Sequence, residues 1–527
     1  MSSPFATLDY GSAPVNAEAA RSFLAQAAPQ PAVAAAQKAA SAAATAWRKT
    51  APALRAQRLR ALARHMEQKA GFLAALAALD GKVPVASTLA QVVPRAVAAL
   101  DHFADQAPLL AGAPGLAAVL GEGAGLAALV EAVAPALAAG QGVVIASAAP
   151  MARAFAALAA AAGLPGGLVQ TVKNDPSTEQ ALLALAAITH VSFTGPRAKS
   201  LALRGQLAAT GKTASFTLSG PTVLIVHDDA DLDAAVEAAA HLLWPGEGHG
   251  VRLHVQEGVA PRFSGKLVNR LSRLRLGDPL DANTDLAADV KPVLPDITSF
   301  RTPDEAVQLA NHPGDAVAAS VWSENLSFAL DTAARLRCAT VWLNGVNHHA
   351  PAAPAVQHFP RPGKNPATAE MLAAAVKAQT AWAALAPAAR AEKLAHLAAS
   401  LPARAAGLAH RLMAAGDATG VSRRVQPGLV FFTLPDPQGV LAVTPASPGL
   451  EGLVTAVLPA LAAGNAVLLH SPEGAARRAL EVAAAHLPPA LISFASAEKI
   501  LADERLAGSF AGTPPARHKT VWAAFGT

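Results

Sequence analysis

The chain is predicted to be an α/β protein of doubly wound parallel sheets, built as one large unit followed by a second, partial one. Three observations predict it. Apolar helices end at glycine and give way to short branched runs and then to further Ala-rich helices, the alternation a parallel sheet covered on both faces requires. A block of sequence occurs twice, and a proline-dense stretch lies between the copies.

The repeat fixes the order of elements. Residues 130–149 (VEAVAPALAAGQGVVIASAA) align without gaps on 454–473 (VTAVLPALAAGNAVLLHSPE), and eleven of the twenty positions are identical, seven of them not alanine. Alanine-rich helices could match by chance, but Pro135/Pro459 and Gly140/Gly464 hold the same spacing and two more markers flank them in order. Upstream, Trp47, Pro52, Arg55 and Leu59 are echoed by Trp382, Pro387, Arg390 and Leu394; downstream, Ser192-Phe193-Thr194-Gly195 is echoed by Ser509-Phe510-Ala511-Gly512. In each copy the glycine suits a left-handed helix stop. The branched runs Val143-Val144-Ile145 and Val467-Leu468-Leu469 read as buried strands. The reading is therefore a first unit over 1–349, a linker over 350–368 whose prolines deny it regular structure, and a partial second unit over 369–527.

Composition narrows the function classes. With 527 residues, 52% hydrophobic and 15% charged, the chain can bury large cores. Aromatic residues are only 4%, so those cores must close through Ala, Leu and Val contacts. Net charge is +5 and the pI about 9.4, but Lys and Arg are scattered without basic runs or interleaved aromatics, which argues against a nucleic-acid partner. The single cysteine, Cys338, excludes an internal disulfide framework, fits a reducing compartment and reads as a packed small hydrophobe. No cation precedes Arg21 and no signal-type apolar core follows, so a cytoplasmic location is expected. The most apolar stretch, 452–469, is broken by Thr455, Pro459, Gly464 and Asn465 and reads as helix, turn and strand, with no membrane span. His241, Glu247, His249 and His254 fit no closed metal pattern, so no metal is expected. GEGHG (246–250) lacks a phosphate-loop lysine.

Several segments resemble the aldehyde dehydrogenase superfamily in register: ITHVSFTG (188–195), SFTLSGPTVLIVHDDADLDAAVEAA (215–239), VRLHVQE (251–257), LRLGDPLD (274–281), DEAVQLAN (304–311) and AASVWSENLSFALDTAARLRCATVWLN (318–344). The likeness spans most of 30–347, and the partial second copy resembles the long two-unit, family-sixteen type of branch. The fold it implies is the family's pair of sheets, with the second unit resembling the cofactor-binding domain only.

The resemblance also implies where chemistry should sit, and those positions are degenerate. The family's cysteine nucleophile falls on Glu247, and a carboxylate cannot form the thiohemiacetal from which hydride leaves. The glutamate base falls on Thr217, which cannot activate water at neutral pH. The oxyanion-hole asparagine falls on Gly123, without a side-chain donor, and on Ser447 in the second copy. The lysine that meets the adenosine ribose falls on Ala146 and on His470. The turn Phe193-Thr194-Gly195 is the remaining candidate for the cofactor, but the serine and second glycine beyond it become Pro196 and Ser200, so NAD is expected to bind weakly or not at all. Between Val290 and Lys291 a stretch of family sequence is missing, including the glutamate that holds the nicotinamide ribose. The segment 104–121 is short and Ala/Gly-rich where relatives carry a hairpin used in tetramer formation.

The resulting expectation is a catalytically inactive homologue acting as a structural or regulatory subunit. Its partner would be an active aldehyde dehydrogenase or another copy of itself. TVWLN (340–344) resembles the strand through which family subunits extend a sheet, and an open edge there would pair with a partner's edge. The alternative is an NAD(P)-dependent aldehyde oxidoreductase with Glu247 or Thr217 recruited to altered chemistry.

Overall fold

The computed structural model describes residues 14–26, 30–108, 114–121, 125–147, 149–208, 210, 212–243, 250–290, 295–312, 316–338, 340–347, 369–414, 422–426, 429–435, 437–445, 447, 449–470, 474–494, 508–511 and 518–524. The chain divides into two compact units, one of residues 1–357 with 425–429 and 522–527, the other of residues 358–424 and 430–521. The linker 350–368 lies outside the described residues.

The first unit carries two sheets. Strands β1 (Leu116–Gly121), β2 (Gly142–Ala146), β3 (Val169–Val172), β4 (Ile188–Pro196) and β5 (Thr213–Ser219) form one, in the order β3-β2-β1-β4-β5, all parallel. Strands β6 (Thr222–Val226) and β7 (Val251–Gln256) belong to the other; β8 (Leu276–Gly277) and β9 (Leu286–Ala287) make a small separate pair. Strands β10 (Ile297–Phe300), β11 (Ala318–Trp322) and β12 (Thr340–Leu343) complete the second sheet in the parallel order β10-β7-β6-β11-β12. Strands β2, β6 and β11 are buried at every position, as expected of parallel strands with helices on both faces. The motif HDDADLD serves the fold directly. Asp231 caps helix Leu232–Leu242, its carboxylate accepting from the Asp233 and Ala234 amides.

Strand β12, which carries TVWLN, follows β11 in this sheet, with Thr340–Leu343 in parallel register against Ala318–Val321.

The repeat is visible as matching hydrogen bonds. In the first copy helix Leu126–Ala138 ends at Gly140, whose φ of 86° only glycine adopts without strain. The Gln141 amide reaches back 2.9 Å to the Ala136 carbonyl and the Gly140 amide 3.0 Å to Leu137, closing a Schellman end. Two buried side chains take the remaining carbonyls: Trp47 Nε1 donates to Leu137 at 2.9 Å and Arg55 Nε to Ala138 at 3.1 Å. The second unit repeats each bond. Helix Leu450–Ala462 ends at Gly464 (φ 90°), Asn465 donates to Ala460 at 3.0 Å, Trp382 Nε1 to Leu461 at 2.7 Å and Arg390 Nε to Ala462 at 3.2 Å. Carbonyls at a helix C-terminus carry partial negative charge and lack intrahelical donors, which explains a buried guanidinium at the same place twice.

In the second unit, strands Ile492–Phe494, Ala466–Leu469, Val440–Thr444 and Gly508–Ala511 follow one another in a parallel sheet, the order β3-β2-β1-β4 of the first without a counterpart of β5. The third marker is out of step by one residue. Phe193 lies opposite Leu120, whereas Phe510 lies opposite Val443, whose counterpart in the first copy is Val119. In the first copy the register also shifts between Leu116 and Ala117, where Thr189 of β4 is passed over.

Candidate functional site

The three positions to which the resemblance assigns chemistry meet the structure differently. Gly123 and Glu247 lie outside the described residues. Thr217 stands exposed on β5, directly opposite Thr194 on β4. Side chains alternate along a strand, so His190/Thr213, Ser192/Ser215 and Thr194/Thr217 share one face of the sheet as a ladder of polar pairs. The other face carries Phe193 and Phe216, ring centroids 6.2 Å apart, and Lys199 of helix Arg197–Ala208 lies 5.8 Å over the Phe193 ring.

Within the ladder the hydrogen bonds assign a tautomer. Thr213 gives its only hydroxyl proton to the Thr189 carbonyl at 3.2 Å, so at 2.9 Å it accepts from His190 Nδ1. His190 Nε2 is then the acceptor, and Ser215 donates to it at 3.2 Å. Burial lowers the His190 pKa, which keeps the ring neutral. A serine bonded to a neutral imidazole resembles half of a hydrolytic constellation. The amides of β4 and β5 lie in the plane of the sheet, at right angles to these side chains, so they supply no oxyanion donors to the hydroxyl. The ladder therefore reads as cross-strand structure.

Phe193, Thr194 and Gly195 come at the end of β4, where a parallel sheet presents ligands to its helix N-termini. Their surroundings limit what they could hold. The Phe193 side chain is core, 1% exposed, and Thr194 is half-buried. A Cβ on Gly195 would come within 2.7 Å of Phe193 Cζ, so this glycine is demanded by the ring beneath it. The strand runs through Pro196 directly into helix Arg197–Ala208; Pro196 has no N–H, and the Ser200 hydroxyl is spent on the Pro196 carbonyl at 3.2 Å. Ala146 is buried at the end of β2, and just beyond it Gln30 Nε2 donates to the Ser147 carbonyl at 2.7 Å. Among the described residues these donors do not form a cradle for a dinucleotide's diphosphate.

In the second copy Ser447 and His470 are both described, His470 donating its backbone amide to Val443 at 2.9 Å. Cys338 is buried, 4% exposed, on the wall of a small cavity with Val223, Ala310, Asn311 and Ala319. Among the described residues no three His, Cys, Asp or Glu side chains gather to hold a metal ion, and no helix is long and apolar enough to cross a membrane. His249 lies outside the described residues, His241 is half-buried in helix Leu232–Leu242, and His254 is buried within β7. Residue-by-residue reasoning missed the His190 ladder, although the polar alternation of THVSFTG and TASFTLS carried its signal.

Known proteins share this architecture. The aldehyde dehydrogenase family model matches residues 13–118, 124–293 and 290–356. Betaine aldehyde dehydrogenase of Vibrio vulnificus (strain YJ016) is 37% identical over 131 residues, 24% of this chain and 27% of that protein. Betaine aldehyde dehydrogenase of Cereibacter sphaeroides is 26% identical over 379 residues, covering 57% of this chain and 78% of the relative. The chain thus spans about a quarter of the first relative and most of the second. Among solved structures, an NAD-dependent aldehyde dehydrogenase from Sinorhizobium meliloti superposes with a TM-score of 0.56 at 24% identity, over 62% of this chain and 82% of that one, a likeness of fold. With the family pattern running through most of the first unit, and with the same two sheets, this chain belongs to the aldehyde dehydrogenase family.

Proposed function

We propose that the chain is a catalytically silent aldehyde dehydrogenase homologue that serves as a structural or regulatory subunit beside an active member of the family. The observation that carries this reading is the pairing of Thr217 with Thr194. At the strand position where the family's base belongs stands an exposed hydroxyl, and its cross-strand neighbour is a second hydroxyl. Neither can take a proton from water at neutral pH. The sequence supports it further, with Glu247 in place of a sulphur nucleophile and Gly123 in place of an amide donor. The resemblance of TVWLN to the strand that extends family sheets makes the β12 edge the expected partner surface, and cross-linking of the native complex locates it.

The second reading, an NAD(P)-dependent aldehyde oxidoreductase with an altered site, is favoured by the family match alone. Two measurements on the purified chain decide between them. Calorimetric titration with NAD is expected to give no micromolar binding, and incubation with NAD and short aldehydes no NADH. Aldehyde-dependent NADH formation by the chain alone would refute the silent-subunit reading.

A further inference from the structure

Two histidines are buried in the second sheet of the first unit. Ile225 of β6 lies opposite His254 of β7, which in turn lies opposite Thr298 of β10. Because strand side chains alternate, His227, Gln256 and Phe300, two residues further along each line, share their face. This face is distinct from the one filled by Leu224, Val226, Leu253, Val255 and helices Leu232–Leu242 and Ala260–Ser272. Helices Pro303–Asn311 and Leu326–Arg335 cover it: Ala310 lines a cavity with Val223 and Ala319, and Phe328 meets the His227 ring.

Burial outweighs the charges around the imidazoles: Asp229 and Asp228 favour a proton on His227, and the desolvation of its buried ring is the larger effect. His227 is 2% exposed, packed edgewise between Phe300 (5.2 Å) and Phe328 (4.6 Å), and its Nε2 has no hydrogen-bond partner. His254 is 5% exposed, and neither of its ring nitrogens has one. The charged groups on the surrounding elements are committed elsewhere. Asp228 accepts from Gln256, and Asp229 from the Ser323 hydroxyl and the Asn325 amide. Glu257 pairs with Arg301, Glu305 accepts the Arg301 amide, and Asp304 and Asp331 pair with Arg335. On β7 itself the nearest charge is Arg252, which opposes a proton on His254.

We propose that helices Pro303–Asn311 and Leu326–Arg335 form an acid-released layer, kept closed by His227 and His254 while both are neutral and opened when either takes up a proton. An imidazolium at His254 has neither water nor a hydrogen-bond partner and one at His227 lies desolvated between two phenyl rings, whereas opening the layer supplies water to both. The sign follows from linkage. Burial lowers the His254 pKa to about 4 and lowers that of His227, against about 6.5 for a free imidazole. The open state therefore binds more protons below neutrality, and stability present above about pH 6.5 is lost as pH falls toward 4. For His254 alone the opening equilibrium shifts by about thirty-fold between pH 7.5 and pH 5.

The test is hydrogen exchange read by mass spectrometry on the full chain at pH 7.5 and pH 5, corrected for the intrinsic pH dependence of exchange. Peptides covering 303–311 and 326–335 are expected to open about thirty-fold more at pH 5, while peptides of the second-unit helix Pro387–Ala399 keep their protection. In H254F, which keeps the ring volume and removes the titrating nitrogens, the acceleration should shrink to the share left to His227; H254Q serves the same purpose should the phenylalanine not pack. Equal corrected opening at the two pH values in the wild-type chain overturns the proposal, as does undiminished acceleration in a folded His254 variant.

Discussion

At the scale of single residues, the two arginines at equivalent helix ends are the clearest case of sequence identity turned into structure. Arg55 and Arg390 are each 3% exposed and each bond to a carbonyl of the turn that precedes their own helix as well as to the helix end, Arg55 Nη1 to Thr50 at 2.8 Å and Arg390 Nη1 to Leu385 at 2.6 Å. Arg55→Ala leaves several buried carbonyls without donors and is expected to lower stability by about 2–4 kcal/mol, with Arg390→Ala alike in the second unit; urea unfolding followed by peptide-resolved exchange measures each. Thr217 behaves oppositely. Exposed on β5, Thr217→Glu should change stability by less than about 0.5 kcal/mol and, on the silent-subunit proposal, should not by itself confer aldehyde oxidation. Cys338, read from the sequence as a packed small side chain, is indeed buried. A thiol reagent should therefore modify the native chain slowly and the urea-unfolded chain at once.

Elements show where sequence reading succeeds and where it stops. The helix stops at Gly140 and Gly464 were legible because a glycine after an apolar helix has a specific backbone role, and both adopt positive φ. Alanine at either position must take a left-handed conformation, and Gly140→Ala or Gly464→Ala is expected to cost about 1–2 kcal/mol, measured as a shift in the urea midpoint. Gly121, with φ 151°, is a stricter case, because a Cβ there would collide with the Thr194 carbonyl of the neighbouring strand. Gly121→Ala should therefore disturb the β1–β4 junction more than Gly140→Ala disturbs its helix. The ladder of His190, Thr213 and Ser215 was not legible in the same way. It exists only once β4 and β5 are in register, and register is a property of a pair of strands. The one-residue difference between Phe193 and Phe510 belongs to register too: matching motifs fix which residues recur, and the pairing of the strands decides which partner each faces.

For the whole molecule, the sequence by itself determined the parallel α/β class, the duplicated helix–strand unit and the family. Each of these rests on local, periodic signals: apolar stretches of helix and strand length, glycine stops, a capping aspartate in DDADLD, and identities held at fixed spacing. It also identified Thr217 as a position unable to serve as the family's base, because a residue's acid–base repertoire is set by its side chain alone. What only the tertiary structure decided depends on neighbours far along the chain. Phe193 and Gly195 read as candidates for a ligand turn, and the structure sets the Phe193 ring in the core with Gly195 packed against it. His254 reads as one of four residues that fit no metal pattern and becomes a buried imidazole whose ring nitrogens have no hydrogen-bond partner, because burial is set by the layers that close over a strand.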